Sequence, residues 1–304
     1  MSRLPHPIPY QGSKRRLAEA IGSVVPHKIG TWYEPFAGSA AMSIWAARYR
    51  DPDKIVLGDS LACITTLWEL IIEDPLSAAD KYEAVWNGQR DAGPSYFNDV
   101  RARYNEQKDP IDLLYLMARC VKNAIRFNRK GQFTQSVDKR RLGMQPEKMR
   151  NAMRGASGLL KGRTVVRAGD WVETVTDARE GDFLYLDPPY MGTSVGRDLR
   201  YAEQMTQERL VIGLEGVLAR RLSVALSYDG STGEKVYGPP LPDHLNMTRT
   251  HIHVGRSSQS TLSGKADETI ESLYLSADLE ATFEMVRVGK EQASRQQELF
   301  VQAE

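Results

Sequence analysis

The stretch TWYEPFAGSAAMSIWAARY, from Thr31 to Tyr49, decides the fold class. It predicts a short strand, TWYEPF, then a turn around Gly38 and a helix with apolar periodicity. A second strand, KIVLGD from Lys54 to Asp59, precedes another helix of this kind, SLACITTLWELI. Two strand–helix units in succession predict an α/β fold built on a parallel sheet.

The same pattern returns after a long interruption. Apolar runs that end in aspartate are TVVRAGD (164–170), DFLYLD (182–187) and LSVALSYD (222–229). THIHVGR and ESLYLS, joined by a polar loop, predict an antiparallel edge. The helix-rich stretch from about Asp74 to Leu160 is far longer than an ordinary connection, so it predicts an insertion. We therefore expect a Rossmann-like, mostly parallel sheet with one antiparallel edge strand, formed by residues 1–73 and 163–304. The inserted helical and hairpin domain would span 74–162, and a helix would end the chain.

Four carboxylates follow strands of this sheet, at Glu34, Asp59, Asp170 and Asp187. Ligands of open α/β sheets bind at the carboxyl ends of the strands, so we expect these side chains to line one site. An acid at a strand end also commonly caps the next helix, which is the structural alternative for each of them.

The loop EPFAGSA, residues 34–40, has the form of a ligand-binding turn. Phe36, Gly38 and Ser39 close a strand and open a helix, so backbone N–H groups can approach a ligand closely. The loop lacks the three glycines of G-x-G-x-x-G, which disfavours NAD or FAD. Asp59, about 20 residues downstream, stands where an acid reaches ribose hydroxyls. A ribose site without a pyrophosphate loop favours S-adenosylmethionine.

Asp187-Pro188-Pro189-Tyr190, directly after the strand FLYL, is the candidate reaction centre. Two prolines cannot extend the sheet ladder, so the Asp187 carboxylate and the Pro188 carbonyl are available as acceptors. Two acceptors that bind both hydrogens of an exocyclic amine favour its nucleophilic form. Tyr190 offers an aromatic face on which a flipped base can stack. These residues favour methyl transfer to a nucleobase amine over a plain proline-bracketed turn.

Basic residues are concentrated between Arg119 and Arg167. This segment has fourteen Lys or Arg residues against two acids, whereas the whole chain has a net charge of +1. Such an excess predicts a surface that binds a polyanion, with a solvated basic face as the alternative. Its centre, FNRKGQFTQSVDKRR, predicts a hairpin that turns at Gly131. The expected DNA contacts on its two sides are Arg126, Asn128, Arg129, Lys130, Lys139, Arg140 and Arg141.

These motifs resemble the Dam-like, alpha-group DNA adenine-N6 methyltransferases, from Pro9 to about Ser276. PYQGSKRRL, YEPFAGSA and LYLDPPY match that family's motifs in order. The resemblance implies that Asp59 binds the cofactor's ribose and that Asp170 meets its adenine. Further cofactor contacts implied in this way are Tyr10, Lys14, Glu34, Phe36 and Gly38. Arg256 corresponds to an arginine that precedes the family's hydroxyl-rich loop, and we expect it to contact DNA.

Two positions depart from that family's pattern. Ala40 stands where a second glycine is usual, which should narrow the cofactor pocket. Thr134 stands where members that methylate GATC have asparagine, so the sequence does not predict GATC as the recognition site.

The resemblance implies an S-adenosylmethionine-dependent methyltransferase fold and methylation of adenine N6 in double-stranded DNA. A cognate restriction endonuclease is a candidate partner, and a prokaryotic or phage-encoded cytoplasmic enzyme is expected. A DNA cytosine-N4 methyltransferase, a catalytically silent DNA-binding subunit of the same fold, and an RNA methyltransferase remain alternatives. With 41% hydrophobic and 26% charged residues, the composition is typical of a globular protein without membrane spans. Cys63 and Cys120 predict buried thiols, and no spacing predicts a metal site.

Overall fold

One mixed sheet organises the protein in the computed structural model, which describes residues 4–189, 205–232, 235–256 and 268–280. Within these ranges the strands are β1 Thr31–Glu34, β2 Lys54–Asp59, β3 Thr164–Ala168, β4 Phe183–Leu186, β5 Ser223–Thr232, β6 Lys235–Tyr237, β7 Thr248–Arg256 and β8 Glu268–Leu275. Their order in the sheet is β3-β2-β1-β4-β5-β8-β7, and β6 pairs with β5 outside this path.

The strands β3, β2, β1, β4 and β5 are all parallel, and β8 runs antiparallel to both β5 and β7. The predicted α/β fold with a mostly parallel sheet is thereby confirmed. Strand β8 lies one position in from the edge, because β7 continues the sheet beyond it, and the short β6 also pairs antiparallel with β5. β5 is also longer than expected, since a bulge between Ser227 and Gly230 lets it continue past Asp229.

The described helices are α1 Ala18–Gly22, α2 Ala41–Tyr49, α3 Ala62–Glu73, α4 Pro75–Ala92, α5 Tyr96–Gln107, α6 Pro110–Arg119, α7 Pro146–Leu160, α8 Trp171–Thr174 and α9 Gln207–Ala219. Asp74 and Asp109 cap α4 and α6, each followed by a proline at the first helical position. None of the helices in these ranges is both long and apolar enough to cross a bilayer.

Helices cover both faces of the sheet, which explains why strands such as FLYL are apolar throughout. Trp32, Phe183 and Tyr185 point to one face, where their rings stack with centroids 5.1 and 6.3 Å from Trp32. Leu184 and Leu186 belong to the core on the other face, with residues of α8 and α9. Alternate side chains of β4 therefore belong to two separate hydrophobic cores, one on each face of the sheet.

The helix-rich stretch after α3 packs against helices that flank the sheet. Buried side chains of α4, α5 and α6 share one apolar cluster with those of α2 and α3. α7 contacts α2, α3 and α4 and then leads into β3. The last helix of the interruption is thus also the connection that returns the chain to the sheet.

Candidate active site and nucleic-acid interface

The carboxyl edge of the parallel strands brings the predicted acids together. Register pairs Glu34 in β1 with Leu57 in β2, and Asp59 in β2 with Ala168 in β3. Asp187 follows β4 directly at this edge. The edge is therefore lined by acidic groups of neighbouring strands.

The loop between β1 and α2 is held on both sides by hydrogen bonds to Gly38. The Gly38 N–H donates to Asp59 Oδ2 at 3.0 Å, and Trp68 Nε1 donates to the Gly38 carbonyl at 3.0 Å. Gly38 has a φ of +43°, which glycine adopts without steric cost. Ala40 is fully buried with a φ of +47°, a conformation in which glycine would be less strained.

The amino-terminal motif lies over this loop. A Cβ added at Gly38 would stand 3.2 Å from the Tyr10 ring, so the ring covers the glycine closely. Ser39 Oγ donates to Ser13 Oγ at 2.7 Å. The structure thus brings together Tyr10, Gly38 and Ser39, three of the residues predicted to contact the cofactor.

Glu34 and Asp59 also accept hydrogen bonds from backbone N–H groups at this edge. Glu34 Oε2 accepts from the backbone N–H of Ser43 at 2.6 Å, near the start of α2. Burial raises the pKa of Glu34 to about 8, against the opposing effect of the Ser43 hydrogen bonds. Asp59 Oδ1 accepts from the Leu61 N–H at 2.9 Å, and burial raises its pKa to about 6. Both acids therefore fix neighbouring backbone as well as lining the edge.

Asp170 and Phe36 lie near the amino end of α8. Asp170 caps this helix by accepting from the Val172 N–H at 2.9 Å, and its Oδ2 lies 2.9 Å from Arg209 of α9. The Phe36 ring is 6.0 Å from the ring of Trp171. The contact of Asp170 with a cofactor adenine remains a prediction.

Asp187 is paired with Lys14 at the centre of the edge. Lys14 Nζ donates to Asp187 Oδ1 at 2.6 Å, and the two side chains are 6% and 20% exposed. Burial raises the pKa of Asp187 to about 6, although Lys14 acts in the opposite direction. Pro188 is buried and Pro189 is partly buried. Tyr190 lies outside the described residues.

A residue that the sequence argument missed also reaches Lys14. Glu271 of β8 places its Oε2 3.7 Å from Lys14 Nζ. In the sequence this glutamate only begins the strand-like run ESLYLS. Glu271 lies within β8, and the pairing of this strand brings it to the site. No sequence motif predicts this location.

The basic segment forms the predicted hairpin. Bridges join Cys120 with Val137 and Phe127 with Phe133, around a turn in which Gly131 has a φ of +69°. Asn128 Oδ1 accepts from the Lys130 and Gln132 N–H groups, so this side chain stabilises the turn. The predicted DNA contacts on the hairpin are all exposed, namely Arg126, Asn128, Arg129, Lys130, Lys139, Arg140 and Arg141.

Arg140 and Arg141 form ion pairs with an acid of the hairpin. Buried Asp138 pairs with Arg140 and Arg141, each at 3.0 Å. The hydrogen bonds from Arg140 hold the pKa of Asp138 down, at about 2. These arginines therefore brace the base of the hairpin in addition to presenting charge.

The hairpin is tied to the candidate active site through the amino-terminal motif. Gln11 lies three residues before Lys14 along the chain. Its N–H donates to the carbonyl of Asn123 at 3.1 Å. Arg256, the remaining predicted DNA contact, ends β7. The hydroxyl-rich loop that follows it lies outside the described residues. In the described part of the chain no three His, Cys, Asp or Glu side chains cluster as a metal site would require.

The sheet order, the single-glycine loop and the proline-flanked acid at the end of β4 define a Rossmann-like methyltransferase fold. The chain belongs to the D12 class N6 adenine-specific DNA methyltransferase family, whose model matches residues 10–216.

Among curated proteins, the chain is similar to the type II methyltransferase M1.LlaDCHI of Lactococcus lactis subsp. cremoris, with 25% identity over 61% of this chain and 65% of that protein. It is 21% identical to the type II methyltransferase M.FokI of Planomicrobium okeanokoites, over 90% of this chain and 43% of the relative. The modification methylase StsI of Streptococcus sanguinis is 24% identical over 62% of this chain and 29% of its own length. The chain thus spans from under a third to just under two thirds of these relatives.

Proposed function

We propose that this protein transfers a methyl group from S-adenosylmethionine to the 6-amino group of a flipped adenine at a specific site in double-stranded DNA. The observation that carries the proposal is the Asp187 carboxylate. It is 20% exposed at the carboxyl edge, directly before Pro188 and on the same side as the Gly38 loop. Family membership implies a methyl donor and DNA as substrate.

The residues around the Gly38 loop fit S-adenosylmethionine. This cofactor has a ribose and an adenine but no pyrophosphate, so the single left-handed glycine and the carboxylate of Asp59 suit it. Tyr10, Lys14, Glu34, Phe36, Ser39 and Asp170 complete the proposed set. When bound, the cofactor supplies an electrophilic methyl group.

Asp187 and Pro188 would hold the target amine. The carboxylate and the Pro188 carbonyl accept its two hydrogens, which directs the nitrogen lone pair away from the base ring. Tyr190 stacks on the flipped base, and Pro189 keeps the segment out of the ladder. The protein thereby contributes orientation and electrostatic stabilisation of the transition state.

The hairpin would hold the DNA beside this edge. Its exposed Lys and Arg side chains suit phosphates, and arginine also suits guanine in the major groove. We propose residues 74–162 as the target-recognition part, with 1–73 and 163–304 as the catalytic part. Relatives named as type II and modification methylases support a restriction–modification setting, with a cognate endonuclease as partner.

Tritiated methyl transfer to duplex DNA, followed by nucleoside analysis, tests the proposal. Label should appear in 6-methyladenine, and Asp187→Ala should abolish transfer while cofactor binding measured by calorimetry persists. Asp51→Asn, which changes an exposed acid paired with Arg163, is the control and should retain activity. Label in 4-methylcytosine would assign the chain to cytosine chemistry. Absence of both transfer and cofactor binding would favour a silent DNA-binding subunit.

A further inference from the structure

Glu271 reaches the reaction centre from a strand that none of the defining motifs includes. Its Oε2 lies 3.7 Å from Lys14 Nζ, and the same ammonium contacts Asp187 Oδ1 at 2.6 Å. Glu271 Oε2 is buried and accepts no hydrogen bond within the described residues. The Lys14 ammonium is therefore within 4 Å of two carboxylates, one from the end of β4 and one from β8.

The net charge of the cluster formed by Lys14, Asp187 and Glu271 matters for the reaction. A Lys14–Asp187 pair by itself is neutral, and the ammonium would weaken the attraction of Asp187 for amine hydrogens. The target nitrogen becomes more positive as it forms its new bond, so a neutral pair would stabilise it poorly. A second carboxylate on Lys14 returns one net negative charge to the group.

We propose that Glu271 is a positioning residue for methyl transfer, which holds Lys14 between two carboxylates so that Asp187 faces the target amine as an effective anion. This inference rests on the proposed function and adds a residue outside its motifs. Glu271 acts through Lys14 and Asp187 and does not contact the base.

The other ionisable groups that face Asp187 and Lys14 leave this charge unchanged near neutral pH. Glu34 faces them from β1, and burial raises its pKa to about 8, so it is mostly protonated at pH 7. Tyr185 faces them from β4, and burial raises its pKa well above the ordinary value. Tyr185 also shares a hydrogen bond with Ser227 of β5 at 2.8 Å.

The test compares pH profiles of kcat/KM for the full chain and for Glu271→Gln, which keeps the side chain's shape. Because the charge of Glu271 raises the pKa of Asp187, its loss should move the acid limb to lower pH. We expect a shift of at least about half a pH unit, and a roughly tenfold lower plateau of kcat/KM. Lys14→Met should move the limb to higher pH, because the Lys14 charge lowers that pKa. Glu280→Gln, at an exposed position, is the control and should leave limb and plateau as in the wild type.

A folded Glu271→Gln variant whose acid limb or plateau matches the wild type would overturn this inference. If Lys14→Met does not fold, Glu271→Gln against Glu280→Gln still decides the question. Absence of transfer by the wild-type chain would contradict the proposed function itself, so the two failures are distinguishable.

Discussion

Among single residues, Asp187 is subject to two opposing influences. Burial favours its protonated form, and the ammonium of Lys14 at 2.6 Å favours the ionised form. The result is a pKa of about 6, raised from the ordinary value of 3.8. The acceptor is therefore sensitive to small changes in its surroundings.

Methyl transfer should accordingly decrease in acid. Protonation of Asp187 removes its charge and leaves a weaker hydrogen-bond acceptor, so kcat/KM should fall as the pH drops through about 6. A pH–rate profile between pH 5 and 9 measures this. An activity that stays constant down to pH 5 would show that ionised Asp187 is not required.

Gly38→Ala tests the cofactor loop. The left-handed φ of +43° and the close approach of the Tyr10 ring both oppose a Cβ there. We expect affinity for S-adenosylmethionine to fall at least about tenfold, which corresponds to about 1.4 kcal/mol. Calorimetry gives the affinity.

The matched control is Gly158→Ala in α7, where an added Cβ meets nothing within 4 Å. It should leave cofactor affinity unchanged and stabilise the protein by about 0.5–1 kcal/mol. Equal affinity in the two variants would exclude the Gly38 loop as the cofactor site.

Glu34→Gln should change how stability depends on pH. The pKa of Glu34 is about 8 in the folded protein, against an ordinary value of 4.5. Its stabilising contribution is complete below the unfolded value and is lost as pH rises through the folded value. Urea unfolding measures the free energy of unfolding at pH 5 and at pH 8. From pH 5 to pH 8, the wild type should lose stability relative to the glutamine variant. A constant difference would mean that Glu34 is ionised throughout.

The sequence was most informative where chemistry restricts residue type. One glycine in the loop and two prolines after an apolar strand predicted the candidate site. The Lys14–Asp187 pair joins residues far apart in the chain, and Glu271 arrives on the antiparallel strand. Such contacts depend on strand order, which local patterns do not contain.

Among the elements, α5 positions the hairpin through several side chains, of which Asn105 makes two hydrogen bonds. Asn105 Oδ1 accepts from the Phe133 N–H at 2.7 Å, and its Nδ2 donates to the Phe133 carbonyl at 3.2 Å. Tyr104 packs against Phe127 and Phe133 beside this contact. The exposed tip of the hairpin therefore rests on a fixed base.

Asn105→Ala should weaken DNA binding by roughly tenfold, since two hydrogen bonds that order the hairpin are lost. Fluorescence anisotropy with duplex DNA measures this, while cofactor affinity should remain unchanged. Asn98→Ala, at an exposed position on the same helix, is the control. Equal DNA affinity in both variants would argue against the hairpin as the DNA interface.

Element types were predictable from periodicity, but element partners were less so. The run THIHVGR reads as a strand, yet alternation alone does not show that it lies outside the antiparallel strand. The bulge in β5 has a local signal that alternation does not capture, because Asp229 has a left-handed φ of +53° directly before Gly230.

At the scale of the whole molecule, the amino-terminal motif joins the candidate active site to the basic hairpin. Tyr10 covers the Gly38 loop, Gln11 contacts the hairpin base, and Lys14 contacts Asp187. The net charge of the chain is only +1, because the acidic residues elsewhere, including those at the sheet edge, offset the basic residues of the hairpin. We infer that the arrangement lets DNA be held by one part while a base enters the other.

Methylation mapping by single-molecule sequencing tests this account most directly. DNA from methylation-deficient cells that express the chain should contain 6-methyladenine at nearly every copy of one short sequence, and the Asp187→Ala variant should leave none. Modification found only as 4-methylcytosine, or none above the level in the Asp187→Ala cells, would contradict the account.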